Sequence, residues 1–219
     1  DVWGSDQTYP HMSVGWTWAF GTPFSWTKMV ASHFGGTKQG TVISWPKVIK
    51  DKGGVRNQFH HVVDIAPTIL EATGIPLPEE IDGIEQTPMD GVSMLYTFDK
   101  KNADAPSTHK TQYFEMIGDR AIYHDGWILS TKVMRVPWDN SGTADKDPAS
   151  WPWELYDLSK DWTQFNDVAA QYPEKVEELE KLFYEEAERN QVMPMDTTTF
   201  TRSLLPRPNL TAGRSVFTY

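Results

Sequence analysis

Cysteine is absent from the 219 residues of this chain. Its absence excludes disulfide bonds, thiolate metal sites and cysteine nucleophiles within the sequence. Long apolar runs are missing too, because no stretch approaches the roughly 20 residues that a membrane-spanning helix needs. The sequence therefore predicts no membrane span, and any chemistry must come from other residue types.

Basic residues are outnumbered, with 20 Lys and Arg against 30 Asp and Glu, for a formal net charge of -10. This balance argues against a nucleic-acid partner, which needs clustered basic residues. An anionic substrate would need a local positive site. The start has no Met and no apolar signal-peptide core. We therefore expect a piece of a longer polypeptide, and the localisation stays open.

A single cation, Lys28, stands among aromatic residues in the stretch 22–40, and the glycine pair Gly35-Gly36 follows it. A lysine held in such a place can bind an oxyanion of a substrate. A lone lysine is more often a solvated surface charge, so spacing alone leaves both interpretations open.

The segment before Lys28 is rich in aromatic residues and has no sustained period, which predicts a loop over residues 1–21. Aromatic loops near a catalytic face often line substrate pockets. The candidate pocket residues are His11, Trp16, Trp18 and Trp26. Ordinary packing, or a surface position for His11, is the alternative.

Two further patterns predict local structure in the first half. The apolar run Thr41–Trp45, closed by Pro46, predicts a buried strand. The pair His60-His61 suggests metal ligands, but adjacent residues do not share one face and no third ligand has useful spacing. We interpret Asp64 instead as the N-cap of a helix over 65–72 that presents Ile65, Ile69 and Leu70 inward.

The second half changes to short alternating segments that predict an antiparallel sheet. Asp125-Gly126 marks a two-residue hairpin, and Pro173 opens a helix with one apolar stripe. The four predicted strands lie near residues 111, 120, 127 and 153. These elements predict a small α+β unit over residues 106–190, after a unit over 1–105 and before an extended tail over 191–219.

Six motifs together resemble the bacterial arylsulfatases, in particular those like the mycobacterial enzymes. They are TYPH, TPFSWTK, ASHFGGT, VISWP, DIAPTILEATGIP and ELYDLSKD. The resemblance implies an α/β fold of the alkaline-phosphatase type, with this chain as its C-terminal portion. Residues 1–105 would then be the last part of the catalytic domain.

The resemblance also implies the chemistry. Sulfatases use a formylglycine nucleophile, made from Cys or Ser in a C/S-x-P-x-R motif, and a Ca²⁺ ion held by Asp and Asn oxygens. They carry a lysine shortly before a Gly-Gly turn that contacts the sulfate, which implies this role for Lys28. Many members have Glu before the glycines and Arg after them. Here His33-Phe34 precedes and Lys38 follows, so His33 is a second candidate, with packing as its alternative.

The nucleophile and metal motifs of that family are absent. Ser44-Trp45-Pro46 begins like the nucleophile motif, but Val48 stands where Arg should be, and Ser203–Arg207 has the wrong Pro spacing. No Asp-Asp pair occurs, and Asp139-Asn140 follows Lys28, whereas the family's metal pair precedes the corresponding lysine. No metal site is therefore expected in this chain.

We interpret the chain as part of an arylsulfatase-like hydrolase acting on a small aryl sulfate ester. Its nucleophile and calcium site would belong to a missing N-terminal part of the same polypeptide. The alternatives are a phosphonate or phosphodiester hydrolase of the same superfamily and a truncated, non-catalytic binding domain.

Overall fold

The computed structural model describes residue 2 and residues 4–9, 11–138 and 147–197. The first half is mostly loop with three helices and one small hairpin. The elements are α1 (Val14–Gly21), the single turn α2 (Phe34–Thr37), α3 (Ile65–Thr73), β1 (Glu80–Ile81) and β2 (Ile84–Glu85). No helix in these ranges combines the length and apolar character needed to cross a membrane.

The helix α1 contradicts the loop predicted for residues 1–21. Trp16 and Phe20, one turn apart, have ring centroids 6.0 Å apart, and such pairs stabilise helices. None of its residues is buried. The prediction was wrong because α1 has no core-facing apolar stripe that a sequence pattern could show.

The strand predicted at Thr41–Trp45 is also wrong. This segment pairs with no strand in the described part of the chain, and Val42 is 95% exposed. A buried strand needs hydrogen-bonded neighbours on both sides. The described residues supply none, so the apolar run stays irregular and open to solvent.

The helix α3 begins directly after Asp64, as predicted, and ends at Gly74, whose φ of 69° suits a glycine. The predicted inward face differs from the observed one. Ile65 and Ile69 are 46% and 56% exposed, whereas Thr68 is buried. No described element covers this apolar side.

The antiparallel sheet of the second half is confirmed. Its strands are β3 (Thr111–Met116), β4 (Asp119–His124), β5 (Trp127–Thr131) and β6 (Trp153–Asp157), hydrogen-bonded in sequence order. Asp125 and Gly126 have φ angles of 43° and 86°. Positive φ at both central residues is what a two-residue hairpin needs to match the strand twist.

The sheet is covered on both faces. The predicted second-half helix is confirmed as α4 (Pro173–Arg189), and it buries Leu179, Phe183 and Ala187 on one face of the sheet. The other face, with Ala121, Ile128 and Tyr156, packs against Phe24 and Phe34. The stretch around Lys28 is therefore part of the same hydrophobic core as the sheet.

Candidate functional site

Lys28 lies on a tight turn in residues 24–38, which we call the Lys28 segment. The turn closes where the Val30 amide donates to the Thr27 carbonyl at 3.2 Å. Trp26 and Met29 have φ angles of 71° and 82°, so left-handed backbone lies on both sides of the lysine. Lys28 is exposed, and no described residue hydrogen-bonds or ion-pairs with its ammonium group. The charge is therefore free to meet an anion.

The backbone of Gly35-Gly36 packs directly against the backbone of this turn. The Gly35 amide donates to the Ser25 carbonyl at 3.0 Å. A Cβ atom on Gly35 would lie within 3.0 Å of the Ser25 and Trp26 carbonyl oxygens, and one on Gly36 would overlap the Val30 carbonyl oxygen. Only glycine allows this close backbone approach. The geometry explains why a lysine turn and a glycine pair occur together.

His33 is buried, with only 4% of its surface exposed. Its Nδ1 lies 2.9 Å from Ser32 Oγ, and its Nε2 lies 3.6 Å from a Glu154 carboxylate oxygen. Burial lowers the pKa of His33 to about 4, so the ring is neutral near pH 7. These surroundings favour packing at the start of α2, and the sulfate contact of His33 stays a prediction.

Lys38 ends the segment above three aromatic rings. Its Nζ lies 4.8 Å from the Phe24 ring centroid, 4.9 Å from Trp162 and 5.5 Å from Phe34. Burial lowers the pKa of Lys38, while the ring faces attract the ammonium. The contact ties the segment to the loop after β6.

The four candidate pocket residues divide into three places. Trp18 and Trp26 meet edge to face with ring centroids 5.8 Å apart. Trp16 pairs with Phe20, and the exposed His11 stacks on Tyr9 at 6.3 Å. Of the four, the structure thus brings only Trp18 and Trp26 together, and Trp26 lies two residues before Lys28. A substrate-pocket role for the four residues stays a prediction.

A second polar cluster surrounds Asp64, which is fully buried. Its carboxylate lies 2.8 Å from His60 Nδ1 and from His109 Nδ1. It also accepts hydrogen bonds from the backbone amides of His61 and Val92, at 2.9 and 2.8 Å. Sequence reasoning missed this cluster because His109 lies 45 residues after Asp64.

Asp64 stands at the N-cap position of α3, as predicted, but its side chain makes no capping bond to that helix. A short 3₁₀ turn, Val62–Asp64, precedes the helix, and the carboxylate faces back into the core instead. Burial on its own would raise the pKa of Asp64. The bonds from His61, Val92, His60 and His109 outweigh burial and hold this pKa below its ordinary value.

A cavity of about 390 Å³ lies between the Lys28 segment and the α+β unit. Its lining includes Met29–Ala31, directly after Lys28, together with β3 and the end of α4. His61 and His109 line it as well. The cavity therefore borders both the Lys28 segment and the histidines near Asp64.

The described residues do not fit a calcium ion. No group of three or more His, Asp or Glu residues in the described ranges has a metal-binding arrangement, whereas calcium takes 6–8 oxygen ligands. The earlier candidates Asp139-Asn140 and Ser203–Arg207 lie outside the described residues, as does most of the predicted tail over 191–219.

No protein-family model matches the chain. Several curated proteins do, including the following two. The chain is 30% identical over 149 residues to an uncharacterized sulfatase of Schizosaccharomyces pombe, covering 66% of this chain and 24% of the relative. It is 32% identical over 122 residues to arylsulfatase K of Xenopus laevis, covering 55% of this chain and 20% of the relative. The chain thus spans a quarter or less of the length of these relatives.

Solved structures match as well, and one of them has a TM-score above 0.5 with this chain. It is a Bacteroides thetaiotaomicron sulfatase described with the metabolism of multiple glycosaminoglycans, with a TM-score of 0.53 and 23% identity. The match covers 71% of this chain and 30% of that one. The α/β sulfatase fold is therefore present, with the four-stranded sheet and helix that the sequence predicted.

Proposed function

We propose that this chain is part of an arylsulfatase-like sulfuric ester hydrolase and that Lys28 binds the sulfate oxygens of an aryl sulfate ester. One observation carries the proposal: the ammonium of Lys28 has no partner among the described residues, yet a glycine-supported turn fixes its backbone. Similarity to sulfatases supports the reaction class.

Lys28 has a supporting role in this proposal. A cation about 4 Å from an anion gains about 1 kcal/mol in water and several times more in a partly dry site. That gain stabilises negative charge on the sulfate oxygens but breaks no bond. The S–O bond must be attacked by a nucleophile from elsewhere.

We propose that the formylglycine nucleophile and the Ca²⁺ site belong to an N-terminal part of the same polypeptide. The absence of cysteine and of a C/S-x-P-x-R sequence supports this division. The shortness of the chain beside its relatives supports it too. Residues 1–105 would complete the catalytic domain, with residues 106–190 as the attached α+β subdomain.

Replacing Lys28 by alanine in the longer polypeptide is expected to lower kcat/KM for a chromogenic aryl sulfate by roughly 10²-fold, the typical effect of one preorganised electrostatic donor. Lys28→Arg should not restore full activity, because a planar fork replaces a compact charge. Steady-state kinetics on the purified proteins measures both.

Lys47→Ala is the matched control, since Lys47 is also an exposed lysine without a partner in the described residues. It should leave kcat/KM unchanged. Equal kinetics for Lys28→Ala and Lys47→Ala would return Lys28 to an ordinary surface charge. Faster turnover of an aryl phosphonate than of the sulfate would favour the sister reaction class. His33→Ala, run in parallel, tests the second candidate.

The 219 residues alone are expected to hydrolyse no sulfate ester and to bind calcium only weakly, because the described ranges hold no suitable ligand group. The assay compares this chain with its Lys28→Ala variant and with the longer polypeptide, and calorimetry follows a calcium titration. Turnover above the Lys28→Ala control, or a stoichiometric micromolar calcium site, would contradict the proposed division.

A further inference from the structure

Gln164 lies in the loop between β6 and α4, with its side chain buried against the sheet. It is 4% exposed and has a φ of 58°, a backbone conformation uncommon for residues other than glycine. Asp161 shapes the loop, since its carboxylate accepts from the amides of Phe165 and Asn166 at 2.8 and 2.6 Å. The loop therefore turns Gln164 inward.

The amide group of Gln164 joins two distant parts of the chain. Its Oε1 accepts from the Phe34 amide at 2.7 Å. Its Nε2 donates to the Ser32 carbonyl at 3.2 Å and to Ser130 Oγ on β5 at 3.0 Å. The side chain thus makes two bonds to the Lys28 segment and one to the sheet.

These bonds lead directly to Lys28. Phe34 directly precedes Gly35, and Ser32 lies three residues before it; the Gly35 amide donates to the Ser25 carbonyl. The glycine pair in turn supports the backbone on both sides of Lys28. A shift of Phe34 would therefore move the support on which the lysine turn rests.

We propose that Gln164 is a positioning residue that fixes the Lys28 segment against the sheet, so that Lys28 meets the sulfate group from a set place. The inference rests on the function proposed for Lys28. A purely structural Gln164 would affect stability alone. A positioning Gln164 has a kinetic effect that depends on Lys28.

A double-mutant cycle in the longer polypeptide separates these roles. Gln164→Ala should lower kcat/KM for an aryl sulfate roughly tenfold when Lys28 is present, since small misplacements of a binding group are costly. In a Lys28→Ala background the same change should lower kcat/KM less than about twofold. Losses that multiply across the two sites would overturn the proposal.

Gln58 provides the matched control. Its Nε2 donates to the carbonyls of Asn102, Ala103 and Ala105 at 2.9, 3.0 and 3.0 Å, so it also anchors a loop. Gln58→Ala should leave kcat/KM within about twofold of wild type. A loss equal to that of Gln164→Ala would overturn a specific role for Gln164.

Gln164→Glu tests the donor half of this network. It keeps an acceptor for the Phe34 amide but loses the Nε2 donor to the Ser32 carbonyl and to Ser130 Oγ, and it sets a carboxylate oxygen against that carbonyl in a buried site. In the folded protein it should therefore lower kcat/KM at least as much as Gln164→Ala does. Wild-type kinetics for a folded Gln164→Glu protein would count against the proposal.

Amide hydrogen exchange tests, without relying on catalysis, whether the Gln164 hydrogen bonds hold the Lys28 segment in place; we call these bonds the Gln164 clamp. Gln164→Ala should speed exchange at Phe34 and at Val30, which closes the lysine turn, by roughly tenfold or more. Gln58→Ala should not. Faster exchange in a polypeptide whose wild type lacks sulfatase activity would support the clamp and overturn the proposed function. Unchanged exchange would overturn the clamp whatever the activity.

Discussion

Alanine at Gly36 is expected to lower the free energy of unfolding of the polypeptide by about 3 kcal/mol or more. The added Cβ would overlap the Val30 carbonyl oxygen and lie within 3.0 Å of the Thr27 carbonyl oxygen. Both atoms belong to the backbone of the lysine turn, so no side-chain rotation relieves the overlap. The effect should therefore reach or exceed the 1–3 kcal/mol typical of overpacking. Gly35→Ala should destabilise the protein in the same way, because its Cβ would overlap the Ser25 and Trp26 carbonyl oxygens.

Gly40→Ala is the control for this experiment, because a Cβ on Gly40 meets nothing within 4 Å. Urea denaturation of the three variants and of the wild type measures their stabilities. The denaturation midpoints can be compared directly if the m-value, the slope of unfolding free energy against urea concentration, is unchanged. Activity on an aryl sulfate should be lost in the Gly36 variant at urea concentrations where wild type is still folded. Similar midpoints for Gly36→Ala and Gly40→Ala would show that the backbone of the lysine turn can shift to accommodate the added Cβ.

Asparagine at Asp64 is expected to cost about 3–5 kcal/mol of stability, the range for breaking a buried charged network. The fully buried carboxylate accepts from two histidine rings and two backbone amides. An amide NH₂ group in its place would face donors and leave some of them unpaired, which is costly in a buried site. Asp104→Asn, at an exposed position, should change stability little.

The pH dependence distinguishes Asp64 from His33. The folded pKa of Asp64 is depressed, so its contribution is present above its ordinary pKa of 3.8 and is lost as pH falls through the lower folded value. The folded pKa of His33 is lowered from 6.5 to about 4, so its contribution is lost between those two values as pH falls. In Asp64→Asn the loss below pH 3.8 should shrink, and the loss between 6.5 and 4 should persist. If the loss of stability below pH 3.8 were the same in Asp64→Asn as in the wild type, the role of Asp64 would be contradicted.

Local patterns in the second half of the chain were sufficient to predict its four-stranded sheet and the helix that packs on it. Alternation placed β3 and β4, and Asp125-Gly126 placed the turn between β4 and β5, because a two-residue turn with positive φ angles has few sequence solutions. The apolar stripe of α4 carries the 3.6-residue period that its packing on the sheet requires. Here local preference and tertiary contact agree.

The first half shows where local patterns are insufficient. The run Thr41–Trp45 has the composition of a buried strand, yet a strand exists only where neighbours accept its hydrogen bonds. The helix α1 forms with no buried residue, so it has no periodic apolar signal. For the run Thr41–Trp45 the deciding neighbours would have to come from outside the segment, whereas α1 is supported by the Trp16–Phe20 pair within it.

The candidate site divides in the same way. The sequence by itself showed that the Gly35-Gly36 pair follows Lys28 closely, and determined that no cysteine or C/S-x-P-x-R motif lies in this chain. Only the tertiary structure decided that the glycines support the lysine turn, that Gln164 reaches Phe34 across 130 residues, and that Asp64 joins His109 across 45. The physical reason is that these contacts depend on close approach and buried hydrogen bonding between distant segments, which no local period or spacing records.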